Sequence, residues 1–359
     1  MITFEKSILE SKFFASDHNF FRDYKNKDLD GKFYLDYWDK RSHQIEAYWP
    51  NNVYGVSKNI KRYITEGTDV NVEAHSLPAV TRHGIHFEMY GHKDLHPNEF
   101  PSGDESIEFK TALSWPHFMD PIYIRNLGED KVLKTASPFV YSFENWKRNR
   151  THNQERKGTL FFPRHSTKSR TVVTDYKKMW KQLEELPEYM KPIKVCVFHA
   201  DVDLGVADDA ISRGYETFCC GHVYDQTFHW RLLDLFSTVK YACSQKITSN
   251  AIYATLSGVH YFLLDAKMKY INNDGFQVLR MKDGDDPQGA LQHKKQVNDQ
   301  FKLLDEDDYP NRLITAHRLL GYERKVTPQE YLNQLLDLSD RNYTKKQAKK
   351  YNLIHPDTI

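Results

Sequence analysis

The sequence has almost no excess charge: 50 Lys+Arg face 49 Asp+Glu, a net of +1 over 359 residues. That balance removes the bulk electrostatic reason to expect a nucleic-acid partner. Long apolar runs are missing too, and none approaches the roughly 18 residues of a membrane span. The opening MITFEKSILESKFF holds acids and no small-residue cleavage site, which is not the pattern of a secretory leader. Cysteine is scarce. Cys196, Cys219, Cys220 and Cys243 all fall in apolar runs, with neither a disulfide framework nor CxxC metal spacing. Buried free thiols fit a reducing cytoplasm. There is no repeat at solenoid periods and no low-complexity tract. The phosphate-cradling GxGxxG is absent, which argues against a nicotinamide or flavin enzyme.

Aromatic side chains are plentiful, with 22 Tyr and 21 Phe, as core packing or as faces on which sugars and bases could stack. The length suggests two domains, each able to bury a core. In the second half, short continuous apolar runs recur at 159–162, 194–198, 215–220, 239–243 and 259–264. They are rich in β-branched, aromatic and Cys residues, which reads as strands. Helical periodicity fills the gaps at 172–186, 205–213, 225–237 and 249–257. This alternation predicts βαβ units, and continuous apolar strands predict a parallel sheet covered on both faces. Five such strands in right-handed succession make a doubly wound, Rossmann-like α/β domain.

The first 150 residues are less regular and are expected to form a second α/β domain. Residues 57–67 predict a helix with a Ser cap and a Gly stop, and 77–80 and 122–124 predict strands. The polar stretch 145–157 is the expected linker. The boundaries are then 1–150, 151–325 and 326–359. Turn signals stand at 272–275 and 283–289. Thr327-Pro328-Gln329-Glu330 is a capping box. It should open a helix to about residue 338 that packs back on the body. Residues 341–351 hold five cations and no acid. They read as a solvated helix end or as a peripheral membrane contact.

Ligands of open parallel sheets bind outside the carboxyl ends of the strands. There the chain places Arg164-His165-Ser166-Thr167, then His199-Ala200-Asp201-Val202-Asp203, then Gly221-His222, then Thr248-Ser249-Asn250, and finally Asp265. Pro163 stops the first strand, so an apolar run ends abruptly on hydrogen-bond donors. The fourth loop caps a helix that Gly258 closes. The free N–H groups and dipole of that helix favour an anion. A plain N-cap reads the same residues without a ligand. His165 and His222 could donate to phosphate or ribose oxygens, and Gly221 would let a backbone approach a ligand closely.

Three segments together carry a resemblance. They are 158–167 (GTLFFPRHST), Gly221-His222 after a strand, and 248–259 (TSNAIYATLSGV). They resemble the nucleotide-sugar half of GT-B-fold glycosyltransferases, most closely those encoded in bacterial capsule and lipopolysaccharide clusters. The likeness covers residues 155–265 well. It is weaker at 78–84 (PAVTRHG), which looks like the strand and loop on the acceptor side. One departure is Val259-His260, where the fifth strand of this fold usually opens with Pro. The resemblance implies two Rossmann-like domains facing a cleft and a nucleotide-sugar donor on the C-terminal one. It implies a glycan or glycolipid acceptor on the other domain and no bound metal or other cofactor. Donor contacts would come from His165, Ser166, Thr167, Gly221, His222, Thr248, Ser249 and Asn250, with Lys168 or Arg170 neutralising the leaving phosphate. Inverting transfer needs a base near the working pH. His83 is the first choice because Gly84 would let a sugar approach it; His86 and Glu88 follow. Retaining transfer would need no such base. The enzyme would work in the cytoplasm, with the inner membrane face as one location.

Three rival readings use the same residues. Asp201 and Asp203 with His199 could hold a divalent cation in a metal-dependent hydrolase or transferase, although Asp203 before Gly205 also reads as a helix cap. A non-catalytic sugar- or nucleotide-binding module would keep the donor loops without a base. An epimerase or polyol-phosphate transferase would use the same helix start.

Overall fold

The computed structural model describes residues 46–85, 89–90, 110–150, 155–166, 170–202, 205–221, 223, 225–266, 268–272 and 287–359. The N-terminal part opens with helix α1 (Val56–Thr65). Strands β1 (Val80–Thr81) and β2 (Ala112–Ser114) follow, then helix α2 (Asp120–Leu127), β3 (Val132–Lys134) and α3 (Pro138–Asn149). The three strands make a parallel sheet in the order β1-β2-β3.

Four expectations are corrected in this part. Residues 122–124 are helical, inside α2, where Pro121 occupies the first turn; proline's fixed φ suits that position and outweighs the two isoleucines. Helix α1 has Gly55 rather than Ser57 at its N-cap, and the Ser57 hydroxyl bonds Glu46 instead. The strand expected at 77–80 is β1, displaced to Val80–Thr81. Residues 145–149 of the expected linker are the last turn of α3, with Asn145 buried.

The second half follows its apolar rhythm closely. Strands β4 (Thr159–Phe162) and β5 (Arg170–Thr174) are followed by α4 (Tyr176–Glu184), β6 (Ile193–Val197), and the short helices α5 (His199–Val202) and α6 (Val206–Ser212). Then come β7 (Glu216–Cys219), α7 (Phe228–Thr238), β8 (Tyr241–Ser244), α8 (Ser249–Leu256) and β9 (His260–Leu263). Five of these strands form one all-parallel sheet in the order β7-β6-β4-β8-β9. In chain order that is third, second, first, fourth, fifth. The direction of winding reverses between β4 and β8, the switch point of a doubly wound sheet.

Alternate residues of each strand enter different cores, as the two-residue period of a strand requires. Leu160, Phe162, Cys196, Phe218 and Ala242 join the cluster that also holds Tyr63, Phe139, Trp230 and Tyr253. Phe161, Val195, Val197, Cys219 and Cys243 join Met179, Trp180 and Ala207 on the other face. Both faces are covered, which is why the runs read as continuously apolar.

Residues 170–174 depart from the expected helix at 172–186. They form β5, antiparallel to β10 (Met268–Asn272), and α4 starts only after Asp175, whose side chain accepts from Lys178 N at 2.9 Å. Thr171, Val172, Val173 and Thr174 are β-branched and stiff at χ1, which favours the strand.

Helices α9 (Pro287–Phe301), α10 (Tyr309–Leu320), α11 (Pro328–Asn342) and α12 (Lys345–Tyr351) complete the chain. The capping box at Thr327 and Glu330 is present. Helix α11 buries Tyr331, Leu332, Leu335 and Leu338 and packs on α1. Beyond α12, Leu353 pairs with Ser76, and the Tyr343 hydroxyl meets that of Tyr48 at 2.5 Å. The end of the chain is therefore built into the N-terminal part. Lys345, Lys346, Lys349 and Lys350 of α12 are exposed while Ala348 faces inward. Among the described residues no helix is long and apolar enough to cross a membrane.

Candidate functional site

Because the five strands are parallel, their carboxyl ends share one edge, and hydrogen bonds join the loops after β4, β6 and β8 there. The central loop is the best anchored. Arg164 N donates to Gln245 Oε1 at 2.7 Å, and Gln245 Nε2 donates to Thr174 Oγ1 at 3.0 Å. Gln245 thus ties the loops on the two sides of the switch point to each other and to β5. Ser166 N donates to Asp201 Oδ1 at 3.0 Å, and the Ser166 hydroxyl accepts from Val172 N at 3.1 Å. Ser166 is buried and bonded to its own protein, so its first role is to fix the loop. His165 packs on Phe198 at 4.4 Å. Burial, and then the charge of Arg164, lower its pKa to about 4, so it is a neutral imidazole at physiological pH. Thr167, Lys168 and His222 lie outside the described residues, as do His86 and Glu88. Arg170 opens β5.

The start of α8 is where the two halves meet. Thr248 is the N-cap, with its hydroxyl accepting from Asn250 N at 3.3 Å. Ser249 Oγ accepts from Ile85 N at 2.9 Å, and Tyr253 OH donates to the His83 carbonyl at 3.2 Å. A Cβ on Gly84 would lie 3.0 Å from Ser249 Oγ, a tight contact that a side chain could make only if Ser249 shifted slightly. The expected acceptor-side loop and the expected donor-side helix are therefore in contact, with the His83 carbonyl bonded to Tyr253 of that helix. Among the described residues the carboxamide of Asn250 takes part in no hydrogen bond.

Tyr54 is a member of this cluster that sequence reasoning missed. It adopts φ 54°, ψ 21°, a left-handed conformation that costs a bulky residue about 1–2 kcal/mol. Its amide donates to the Val223 carbonyl at 2.5 Å. Its ring lies edge-on to His83 at 5.3 Å and against Phe228 at 4.4 Å. Burial pushes its phenol pKa upward, against the charge of Arg164. The Tyr54-Gly55 pair just before a helix was the one local signal of a special turn.

Gly221 serves a different purpose from the expected one. Its φ is +105°, and a Cβ there would lie 2.4 Å from Asp225 Oδ2 and 2.6 Å from Arg231 Nη1. Asp225 and Arg231 form a buried ion pair at 2.6 Å, and Arg231 also donates to the Cys220 carbonyl at 3.1 Å. The side of Gly221 that a Cβ would occupy is filled by Asp225 and Arg231.

Asp201 sits on α5 at the end of β6 and is 2% exposed. Burial raises its carboxyl pKa to about 6, although the Ser166 hydrogen bonds and Arg164 work against the rise. Of its proposed metal partners, His199 is on the same short helix and Asp203 lies outside the described residues. Among the described residues no three His, Cys, Asp or Glu side chains group as metal ligands. The four cysteines are free and buried, with Cys196 and Cys220 sulfurs 3.7 Å apart.

Fold and edge together define an α/β protein with a Rossmann-like parallel sheet, the carboxyl edge of which carries imidazole, hydroxyl and amide side chains. Beyond that class, comparison with protein families, characterised proteins and solved structures finds no match.

Proposed function

We propose that this chain is a metal-independent glycosyltransferase of the GT-B type, moving a sugar from a nucleotide-sugar donor to a hydroxyl of a surface glycan or glycolipid. The observation that carries the reading is the meeting of the loop after β1 with the start of α8. It sets a histidine from one parallel sheet against the helix N-terminus at the carboxyl edge of the other. The return of α11 and residue 353 to the N-terminal part supports a two-domain arrangement of this kind.

In this reading the helix dipole and free N–H groups of α8 receive the diphosphate, with Thr248 and Asn250 beside it. Arg164 supplies positive charge at the switch point, joined by Lys168 or Arg170 on the leaving phosphate. His83 takes the proton of the acceptor hydroxyl, with His86 and Glu88 as the alternatives. The cytoplasm, and its membrane face through the lysines of α12, is the expected place of work.

The test is a thermal-shift screen of UDP, GDP, CDP, CMP and dTDP with and without Mg²⁺. A true donor nucleotide at 100 times its dissociation constant stabilises by about 2.7 kcal/mol. Stabilisation by none of them would refute the reading, and stabilisation only with Mg²⁺ would favour the metal-dependent alternative at Asp201 and Asp203. Asn250→Ala leaves the Ser249–Ile85 contact intact. It should weaken nucleotide binding about tenfold by loss of a hydrogen bond to a charged ligand. His83→Ala should abolish turnover and spare nucleotide affinity.

A further inference from the structure

Asp201 carries an unexplained acceptor. One carboxylate oxygen, Oδ1, is held by Ser166 N at 3.0 Å. The other, Oδ2, is buried and has no hydrogen-bond partner among the described residues. A buried acceptor left unmade is costly, and such groups are rare in folded proteins. No cation pairs with Asp201 at contact distance among the described residues. The charge of Arg164 acts on Asp201, His165, Tyr54 and Tyr261 together. Local charge is therefore already partly balanced, and a neutral hydrogen-bond donor suits Oδ2 better than a second cation.

The strand order says which donor. β4 is central, β8 and the start of α8 lie on one side of it, and β6 with Asp201 lies on the other. From β8 to β6 is two strand spacings, about 10 Å. A nucleotide whose phosphates rest on α8 and whose chain crosses the 164–166 loop arrives at Asp201 with its ribose. In dinucleotide-binding doubly wound sheets an acidic side chain past the second strand serves ribose hydroxyls in this way. Here β6 is second in chain order within the sheet, although the glycine fingerprint is absent. We infer that Asp201 is the ribose-recognition residue of this site, with Oδ2 accepting from the vicinal hydroxyls of the bound nucleotide. This inference rests on the nucleotide reading above and adds to it a requirement for a ribonucleotide.

The experiment compares UDP, GDP and CDP with their 2′,3′-dideoxy counterparts by titration calorimetry, on wild type and on Asp201→Asn. The Asn side-chain oxygen can still accept from Ser166 N, so the loop keeps its anchor. Wild type should bind its preferred ribonucleotide roughly tenfold or more tightly than the dideoxy form, because a site built to bond a hydroxyl rejects the analogue lacking it. In Asp201→Asn that ratio should fall below about threefold, with affinity for the dideoxy form unchanged. Equal binding of both forms by wild type overturns the inference and leaves the nucleotide reading standing. So does a ratio that survives in Asp201→Asn, or a diol preference seen only with the sugar moiety of a nucleotide sugar. Binding of no diphosphate at all overturns both. The wild-type comparison needs no variant, so it decides even if Asp201→Asn folds poorly.

Discussion

Gly221→Ala separates a structural glycine from a ligand-facing one. At φ +105° an alanine is strained by about 1–2 kcal/mol before any contact is counted. Its Cβ would then lie 2.4 Å from Asp225 Oδ2 and 2.6 Å from Arg231 Nη1, closer than such atoms can approach. Those side chains are 1% and 4% exposed, and Asp225 also accepts from Thr227 N at 2.8 Å and Thr227 Oγ1 at 2.7 Å. The carboxylate has little room to move without losing a partner. Breaking a buried ion pair costs about 3–5 kcal/mol. A displaced but surviving pair loses only part of that, so the total expected is about 3–6 kcal/mol. Urea unfolding followed by tryptophan fluorescence is the assay, with Trp180 and Trp230 as reporters packed beside the five-stranded sheet. With an m-value near or above about 3 kcal/mol/M, the midpoint should drop by roughly 1 M or more. Protein that remains folded should keep its nucleotide affinity. A variant destabilised by less than about 1 kcal/mol that has lost nucleotide binding would refute the reasoning and return Gly221 to the ligand.

Tyr253→Phe keeps the stack on Phe139, at 3.8 Å between ring centroids, and removes the bond to the His83 carbonyl. It should cost about 1 kcal/mol and speed proteolysis or amide exchange near residues 82–85; unchanged exchange there would discount the contact. Burial holds His229 down at about 3 and His165 at about 4, against an ordinary 6.5. The unfolded chain therefore binds these two protons first, and their contribution is whole above pH 6.5 and lost as pH falls toward 4. Asp201, raised to about 6 from 3.8, acts oppositely between those values and offsets part of the loss. His229→Gln should lower the slope of stability against pH between 6 and 4.5 by about 1.4 kcal/mol per pH unit, read from denaturation midpoints; an unaltered slope would place the titration elsewhere. Hydrogen bonding to Cys196 and burial raise the Cys220 pKa well above its ordinary value, and burial pushes Cys219 up to about 12. Iodoacetamide should label none of the four thiols under native conditions and all of them in denaturant; rapid native labelling would contradict the burial.

The sequence by itself determined the five-stranded sheet. Its strands are short, apolar on both faces and separated by helical stretches, and that combination suits one architecture. It also determined the caps at Thr248 and Thr327, since a cap is made within three residues of its own helix. Only the tertiary structure decided what meets what. β5 is a strand because Met268–Asn272 pairs with it from far along the chain, and local periodicity at 172–186 holds no trace of that partner. Ser249 looked free for a phosphate, yet its oxygen receives the amide of Ile85 across 164 positions. Gly221 looked open to a ligand until Asp225 and Arg231 filled the space beside it. The periodicity of a segment records how much of it is buried and on which face. The identity of the neighbour doing the burying is set by packing between segments remote in sequence, and no local pattern encodes it.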